Sequence, residues 1–405
     1  MMLKTRLLPL LLSGLLAAGP ALAAGSAPAA EASRTESAAE HAAHAAPGAT
    51  PHFHESCFSC RAIWDEFALS AMDPSGRIID ASSPEMASTS EGQSYALFLS
   101  LAAGDKERFA RILAWTEANL CAGDCTRTLP AWRWGRITET DPKTKETTER
   151  WDVIDGNNAV DADLWIAYSL LEAGRLWEDA AYTEKGRAMA RLLLGQTAEV
   201  RGIGRLIAPG AVGFRNDKLL RQNPSYLPVF VLRRLEAEDP AWKHVTATAV
   251  RVIVRSSRAG LSPDWADVDG HGRIVPVNLA AGSWDAVRVY LWAGMISPAD
   301  PDHRTIRAAL DPMVQITVTR RLPPAAVEGE RFSVTDPGPD AFAAALLPWL
   351  SRSRTGAFAR TLLEYQPLGS DTYYRSMLTL FGLGFDRGCF AFDAAGELIF
   401  PRAEL

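Results

Sequence analysis

Between Ala159 and Trp177 the chain reads Ala-Val-Asp-Ala-Asp-Leu-Trp-Ile-Ala-Tyr-Ser-Leu-Leu-Glu-Ala-Gly-Arg-Leu-Trp, and no other stretch constrains the fold as much. On a helical period Asp161, Trp165, Tyr168 and Glu172 fall on one face, while Ile166, Leu170, Ala173 and Trp177 fall on another. Apolar surface therefore wraps most of the circumference, and such a helix is buried on several sides. An acidic residue heading it is either an N-cap or a carboxylate delivered into an interior cleft; for Asp161 the residues alone leave both readings open.

The same periodicity recurs along the chain. Helical segments are expected near 57–71, 91–103, 106–120, 161–177, 180–196, 224–236, 242–258, 284–294, 302–318, 340–351, 355–364 and 372–384, about twelve in all. Several links within pairs are short, as at Gly104-Asp105, whereas links between pairs are long and carry Gly, Pro, Asp and Trp. That alternation suits helical hairpins side by side with functional loops gathered at one end. Periodicity by itself says only that the fold is large and all-α. One interruption, the polar and Thr-rich run Arg136–Arg150 with Asp141-Pro142 in it, reads as a surface hairpin or flap, with Trp134 and Trp151 flanking it at the cleft.

A chain of 405 residues, 47% hydrophobic, can bury a sizeable core. Its net charge of −6 gives no support for nucleic acid or an anionic membrane as partner. Twelve tryptophans are many for this length; indole faces stack on sugar rings, although core packing must account for more than half of them.

The N-terminus reads as an export signal. Lys4 and Arg6 precede a mostly apolar run from Leu7 to Leu22, and Ala21-Leu22-Ala23 places small residues where a signal peptidase cuts. The expected organisation is a signal peptide over 1–23, an Ala/His-rich disordered leader over 24–52 and a single domain over 53–405, with no later membrane span. His41, His44, His52 and His54 take four of the seven histidines, which leaves His244, His271 and His303 in the body and weakens any Ser-His hydrolase reading. Of five cysteines, Cys57, Cys60, Cys121 and Cys125 allow three pairings and Cys389 is left over. A zinc site from His52, His54, Cys57 and Cys60 and a redox role for the Cys57/Cys60 pair are weaker readings than disulfides.

Two carboxylates elsewhere invite chemistry. Glu91, in Ser88-Thr-Ser-Glu-Gly-Gln-Ser-Tyr-Ala96, completes a capping box with Ser88, yet beside Gly92 it is also placed to meet a ligand. Asp285, in Ala281-Gly-Ser-Trp-Asp-Ala-Val-Arg-Val-Tyr290, lies three residues before Arg288 on one helical face. A guanidinium there favours the ionised carboxylate, the state a general base needs, although a plain surface ion pair has the same spacing.

These three strings, in this order, resemble glycoside hydrolase family 8. The Ser-Glu-Gly-Gln-Ser-Tyr segment is similar to the one carrying the family's general acid, Asp285-Ala-x-Arg288 to the one whose Asp activates water, and Ala159–Trp177 to its signature helix. Val160 stands where that helix usually has Ser or Thr, and Trp284 where a Tyr is usual. Further strings, Ala-Gly-Arg-Leu-Trp177, Asn-Pro-Ser-Tyr-Leu-Pro228, Ser-Pro-Asp-Trp265 and Leu-Thr-Leu-Phe-Gly382, look like the periplasmic endoglucanases that accompany bacterial cellulose synthases. The resemblance spans about Trp64 to Phe400.

What the resemblance implies is an (α/α)6 barrel and an inverting endo-β-1,4-glucanase in the periplasm, acting on cellulose beside a cellulose synthase complex, without metal or organic cofactor. Glu91 is then the general acid and Asp285 the general base, roughly 6.5–9.5 Å apart, while Asp161 holds the sugar at the cleavage point. Asp163 points about 200° away and braces the helix. Substrate contacts are expected from Arg288, Trp132, Trp134, Trp151, Tyr226 and Tyr374. The rival readings are a chitosanase, a hydrolase of xylan or mixed-linkage glucan, and a non-catalytic glucan-binding subunit.

Overall fold

The computed structural model describes residues 60–277, 282–328, 333–350 and 352–401. Twelve α-helices occur among them: α1 Cys60–Ala71, α2 Ser90–Ala102, α3 Lys106–Leu120, α4 Val160–Trp177, α5 Ala180–Leu194, α6 Val229–Leu235, α7 Trp242–Ser256, α8 Ala286–Met295, α9 His303–Arg320, α10 Asp340–Leu350, α11 Arg354–Glu364 and α12 Tyr373–Asp386.

Burial alternates along this series. In α4, 15 of 18 residues are buried and in α8 all ten, whereas α5 buries four of 15 and α9 five of 18. The even-numbered helices are covered all round and the odd-numbered ones on one face, so the former line the interior and the latter form an outer layer. Contacts bear this out: α2, α4, α6, α8, α10 and α12 each pack on the next, and α12 returns to α2. The outer helices pack on this ring, α3 on α2, α5 on α4, α7 on α6 and α11 on α10, while α1 packs on α12. This is the (α/α)6 barrel. Close approach of α10 and α12 needs Gly382, where a side chain would run into the Ala344 backbone.

The core is aromatic at its centre. Trp165 sits among Tyr95, Phe98, Phe230, Trp292 and Phe381 at centroid distances of 4.8–6.0 Å. Trp64, Trp115, Trp165, Trp242 and Trp292 are buried, and Trp177 and Trp349 pack against the core. Seven of the twelve tryptophans are thus spent on packing, as their number required.

Each inner helix is followed by an outer one running back, so the inner helices run in parallel and their N-termini gather at one end. The strands lie in the links. Arg133–Thr140 pairs antiparallel with Thr147–Asp155, and Ser88–Thr89 adds a short third strand to it through Ser88↔Trp134. This is the hairpin expected over 136–150. A second sheet joins Leu219–Gln222, Ala266–Asp269 and Ile274–Pro276. A C-terminal hairpin, Ala391–Phe392 with Leu398–Ile399, is held by α4: Tyr168 donates to the Gly396 carbonyl at 2.9 Å, and the buried Glu172 accepts the Leu398 N–H at 2.8 Å.

Two expectations need correction. The helix expected over 224–236 is broken: a 3-10 turn, Pro224–Tyr226, precedes α6, because Pro228 has no N–H to donate and disfavours helical geometry at Leu227. Cys389 is not left over. It forms a disulfide with Cys60, and Cys121 pairs with Cys125. Cys57, His52 and His54 lie outside the described residues; with Cys60 in a disulfide, the zinc set loses one of its ligands.

Candidate active site

Arg288 organises the site. It lies in the first turn of α8, and its side chain is 3% exposed. Nη1 donates to Glu91 Oε2 at 2.5 Å, to Asp161 Oδ2 at 3.0 Å and to the Tyr95 hydroxyl at 3.0 Å, while Nη2 donates to Asp285 Oδ1 at 2.7 Å. One guanidinium therefore ties together three carboxylates from three inner helices. Its planar fork makes this possible: Glu91 and Asp161 share Nη1, and Nη2 serves Asp285.

Each acid sits where an inner helix begins. Glu91 is the second residue of α2, Asp161 the second of α4, and Asp285 the N-cap of α8. The N-terminal ends of these helices favour negative charge there. Neither local alternative is realised. Thr89, not Ser88, caps α2 by accepting the Gly92 N–H at 3.0 Å, while Ser88 donates to the Ile78 carbonyl, so Glu91 is free of any capping box. Asp161 is not the cap of α4 either, because Ala159 holds that position.

The acids differ in access. The side chains of Glu91 and Asp285 are 20% and 29% exposed, whereas that of Asp161 is 4% exposed. Water and a ligand can therefore reach the first two. Burial pushes the Asp161 carboxyl up to about 7; Arg288 opposes this shift and the neighbouring Glu91 adds to it. Asp163 is fully buried beside it and accepts from Asn158 Nδ2 at 2.6 Å, which braces the loop entering α4.

Tyrosines complete the surroundings. Tyr373, the first residue of α12, donates to Glu91 Oε1 at 2.9 Å. A side chain at position 92 would meet the Tyr373 ring at 3.1–3.3 Å, so the space beside Gly92 belongs to this tyrosine. Arg288 lies 5.6 Å from the ring centroids of both Tyr226 and Tyr374, and Tyr374 donates to the Trp284 carbonyl at 2.8 Å. Burial raises the hydroxyls of Tyr95, Tyr226, Tyr373 and Tyr374 well above the ordinary tyrosine range, so all four remain phenols.

Aromatic surface continues outward on two sides. Tyr226 meets Trp265 edge-on at 5.9 Å and Trp265 stacks on Phe214 at 5.7 Å. On the other side Tyr374 meets Trp284, a residue that is 42% exposed.

Of the residues singled out from sequence, Glu91, Asp161, Asp285, Arg288, Tyr226 and Tyr374 converge on this cluster. Trp132 adjoins it, since its carbonyl accepts the N–H of Ser90, next to Glu91. Trp134 and Trp151 meet at the hairpin root: they stack at 5.4 Å, with the Arg77 guanidinium 4.6 and 4.7 Å from their centroids, and Trp115 meets Trp134 edge-on. The sequence reading missed Tyr95, the tie between Tyr373 and Glu91, and Asp264. Tyr95 had a signal, being four residues after Glu91 on the same helical face. The other two are joined to the site by contacts between distant segments, which leave no periodic trace.

A buried cation holding three carboxylates from three inner helices, two of them reaching solvent among aromatic rings, is the kind of centre that acid–base cleavage of a sugar polymer uses. The sequence profile described as "Glycosyl hydrolases family 8" matches residues 42–388. The chain belongs to this family. It is 38% identical to the endoglucanase of Salmonella typhi over 339 residues, 83% of this chain and 89% of that protein. It is 37% identical to the endoglucanase of Escherichia coli strain K12, over 83% of this chain and 90% of that protein. The crystal structure of endo-1,4-D-glucanase from Vibrio fischeri ES114 superimposes with a TM-score of 0.77 at 36% identity, covering 84% of this chain and 99% of that one.

Proposed function

We propose that this chain is an inverting endo-β-1,4-glucanase, exported to the periplasm, that cuts cellulose chains as a cellulose synthase complex produces them. Glu91 protonates the leaving glycosidic oxygen, Asp285 takes a proton from the attacking water, and the sugar at the cleavage point rests against Asp161. Tyr226, Tyr374 and Trp284 offer ring faces to neighbouring sugars, and Trp132 offers another near Glu91.

The observation that carries this reading is the Arg288 fork. Nη1 holds Glu91 and Nη2 holds Asp285, so one guanidinium brings the two solvent-reaching acids to the same cleft; the inverting reading requires that they leave room between them for a water. The polymer assignment is supported by relatives and a solved structure that carry the names endoglucanase and endo-1,4-D-glucanase. The export assignment is supported by the charged and apolar start of the chain and its Ala21-Leu22-Ala23 site.

The test is release of reducing ends from carboxymethyl cellulose by the mature protein, with product anomers read by NMR, beside Glu91→Gln and Asp285→Asn. We expect α-anomers from the parent and a loss of about 10²-fold or more in kcat for each variant. Equal activity in the variants would remove both role assignments. Activity on chitosan, xylan or mixed-linkage glucan but not on cellulose would move the substrate. Binding without turnover on every polymer would leave a glucan-binding subunit.

A further inference from the structure

Asp264 lies in the link between α7 and α8, just ahead of the strand Ala266–Asp269. Its Oδ1 accepts the backbone N–H of Ser283 at 2.8 Å and that of Ala286 at 2.7 Å. Those two amides bracket Trp284 and Asp285, so one carboxylate oxygen pins the turn that presents Asp285. The same turn is anchored from a third segment: Gly282 and Val327 exchange backbone hydrogen bonds, and Ser283 Oγ donates to the Ala325 carbonyl.

An aspartate in the N-cap position normally spends its side chain on amides of the first turn. Asp285 does not, and makes no capping hydrogen bond. The reason is visible in where those amides go: the Ala286 N–H is taken by Asp264, the Val287 N–H by the Ser283 carbonyl, and the Arg288 N–H by the Asp285 carbonyl. Every amide that could draw the Asp285 carboxylate down onto the helix end is already occupied. The carboxylate is left to Arg288 Nη2 and the cleft.

We propose that Asp264 is a positioning residue: it takes over the capping of α8 and so releases the Asp285 carboxylate to face substrate as the proton acceptor. This rests on the role given to Asp285 above. Asp264 itself touches no reacting atom. Burial and the nearby negative charge of Asp285 push its carboxyl up to about 6, so above that pH it serves as a charged acceptor for both amides.

The experiment measures kcat and KM on carboxymethyl cellulose at pH 7 for Asp264→Asn, Asp264→Ser and Asp264→Ala, with Asp285→Asn as reference and folding checked by circular dichroism. An Asn keeps an oxygen that accepts both amides, a Ser reaches one at best, and an Ala none. We expect kcat to fall in that order: within about threefold of the parent for Asn, intermediate for Ser, and about 30-fold or more down for Ala, with KM within about twofold throughout. An Ala variant within threefold of the parent, a rise in KM that accounts for the loss, or an Asn variant as slow as Ala overturns the proposal. Should the Ala variant fail to fold, the Asn and Ser variants decide, and equal kcat for those two overturns it. Parent-like turnover by Asp285→Asn is a different failure: it removes Asp285 as proton acceptor, whatever the Asp264 series gives.

Discussion

Asp161 shows how one residue acquires its character from its neighbours. At the head of a helix that is apolar round most of its circumference it is as plausible a cap as a functional acid. Burial to 4% of its side-chain surface, with Glu91 beside it, raises its carboxyl from 3.8 to about 7. The folded protein then keeps a proton that the unfolded chain gives up near pH 4. Between these values the native state binds more protons than the unfolded state, so this group makes stability fall as pH rises from about 4 through about 7. Asp264, raised to about 6, acts in the same sense. His303, whose value burial lowers, acts in the opposite sense, so the Asp161 contribution is best read as a difference. We expect Asp161→Asn to gain thermal midpoint relative to the parent at pH 8 and to lose that advantage at pH 5, as read by scanning calorimetry. Parallel curves for the two proteins would mean that Asp161 is ionised throughout.

At the scale of elements, α4 serves the site with one end and the fold with the other. Glu172 follows Asp161 by eleven residues on the same face, about 16 Å along the axis at 1.5 Å per residue. It is fully buried and accepts from Arg234 Nε at 2.6 Å, from Arg175 Nη2 at 2.5 Å and from the Leu398 N–H. This one carboxylate joins α4, α6 and the C-terminal hairpin. Removing it strands the guanidinium of Arg234, itself 6% exposed, beside Glu238 alone. Glu172→Ala should therefore cost about 3–5 kcal/mol in urea unfolding, while kcat of the folded protein at 25 °C stays within about twofold. A large loss of kcat at full folding would show that the far end of α4 reports to the site.

For the whole molecule, the ring of helices has a seam where the beginning and end of the domain meet. There α1 packs on α12, and the disulfide between Cys60 and Cys389 closes it across 329 residues. Such a link stabilises chiefly by restricting the unfolded chain, and the loop here is long, whereas Cys121–Cys125 spans four residues and restricts little. The double variant Cys60→Ser/Cys389→Ser should lose on the order of 3–5 kcal/mol, with a lower midpoint in thermal unfolding and an unchanged product anomer. Cys121→Ser/Cys125→Ser should lose clearly less. Equal losses would mean that local strain, not chain entropy, sets the contribution.

By itself the sequence determined what depends on local order. Helical periods predicted about twelve helices, each of which has a counterpart, the one over 224–236 being cut short to α6, and the apolar surface wrapping most of Ala159–Trp177 marks an inner helix before any neighbour is known. The hairpin over 136–150 was legible because a polar, Thr-rich run punctuated by Asp141-Pro142 interrupts the helical periods. The candidate acids stood out as acids near helix starts, but local order left each open between a cap or ion pair and a site acid, and the choice came from the resemblance of their strings to glycoside hydrolase family 8. What tertiary structure decided are relations between distant segments. Arg288 was expected to serve Asp285 three residues away, but its bonds to Glu91, Tyr95 and Asp161 span 127–197 residues. The Cys60–Cys389 pairing, the Asp264 clamp and the packing of Trp134 and Trp151 at the hairpin root are of the same kind. Such contacts arise when closure of the barrel brings helix ends and loops together, and closure has no period to read along the chain.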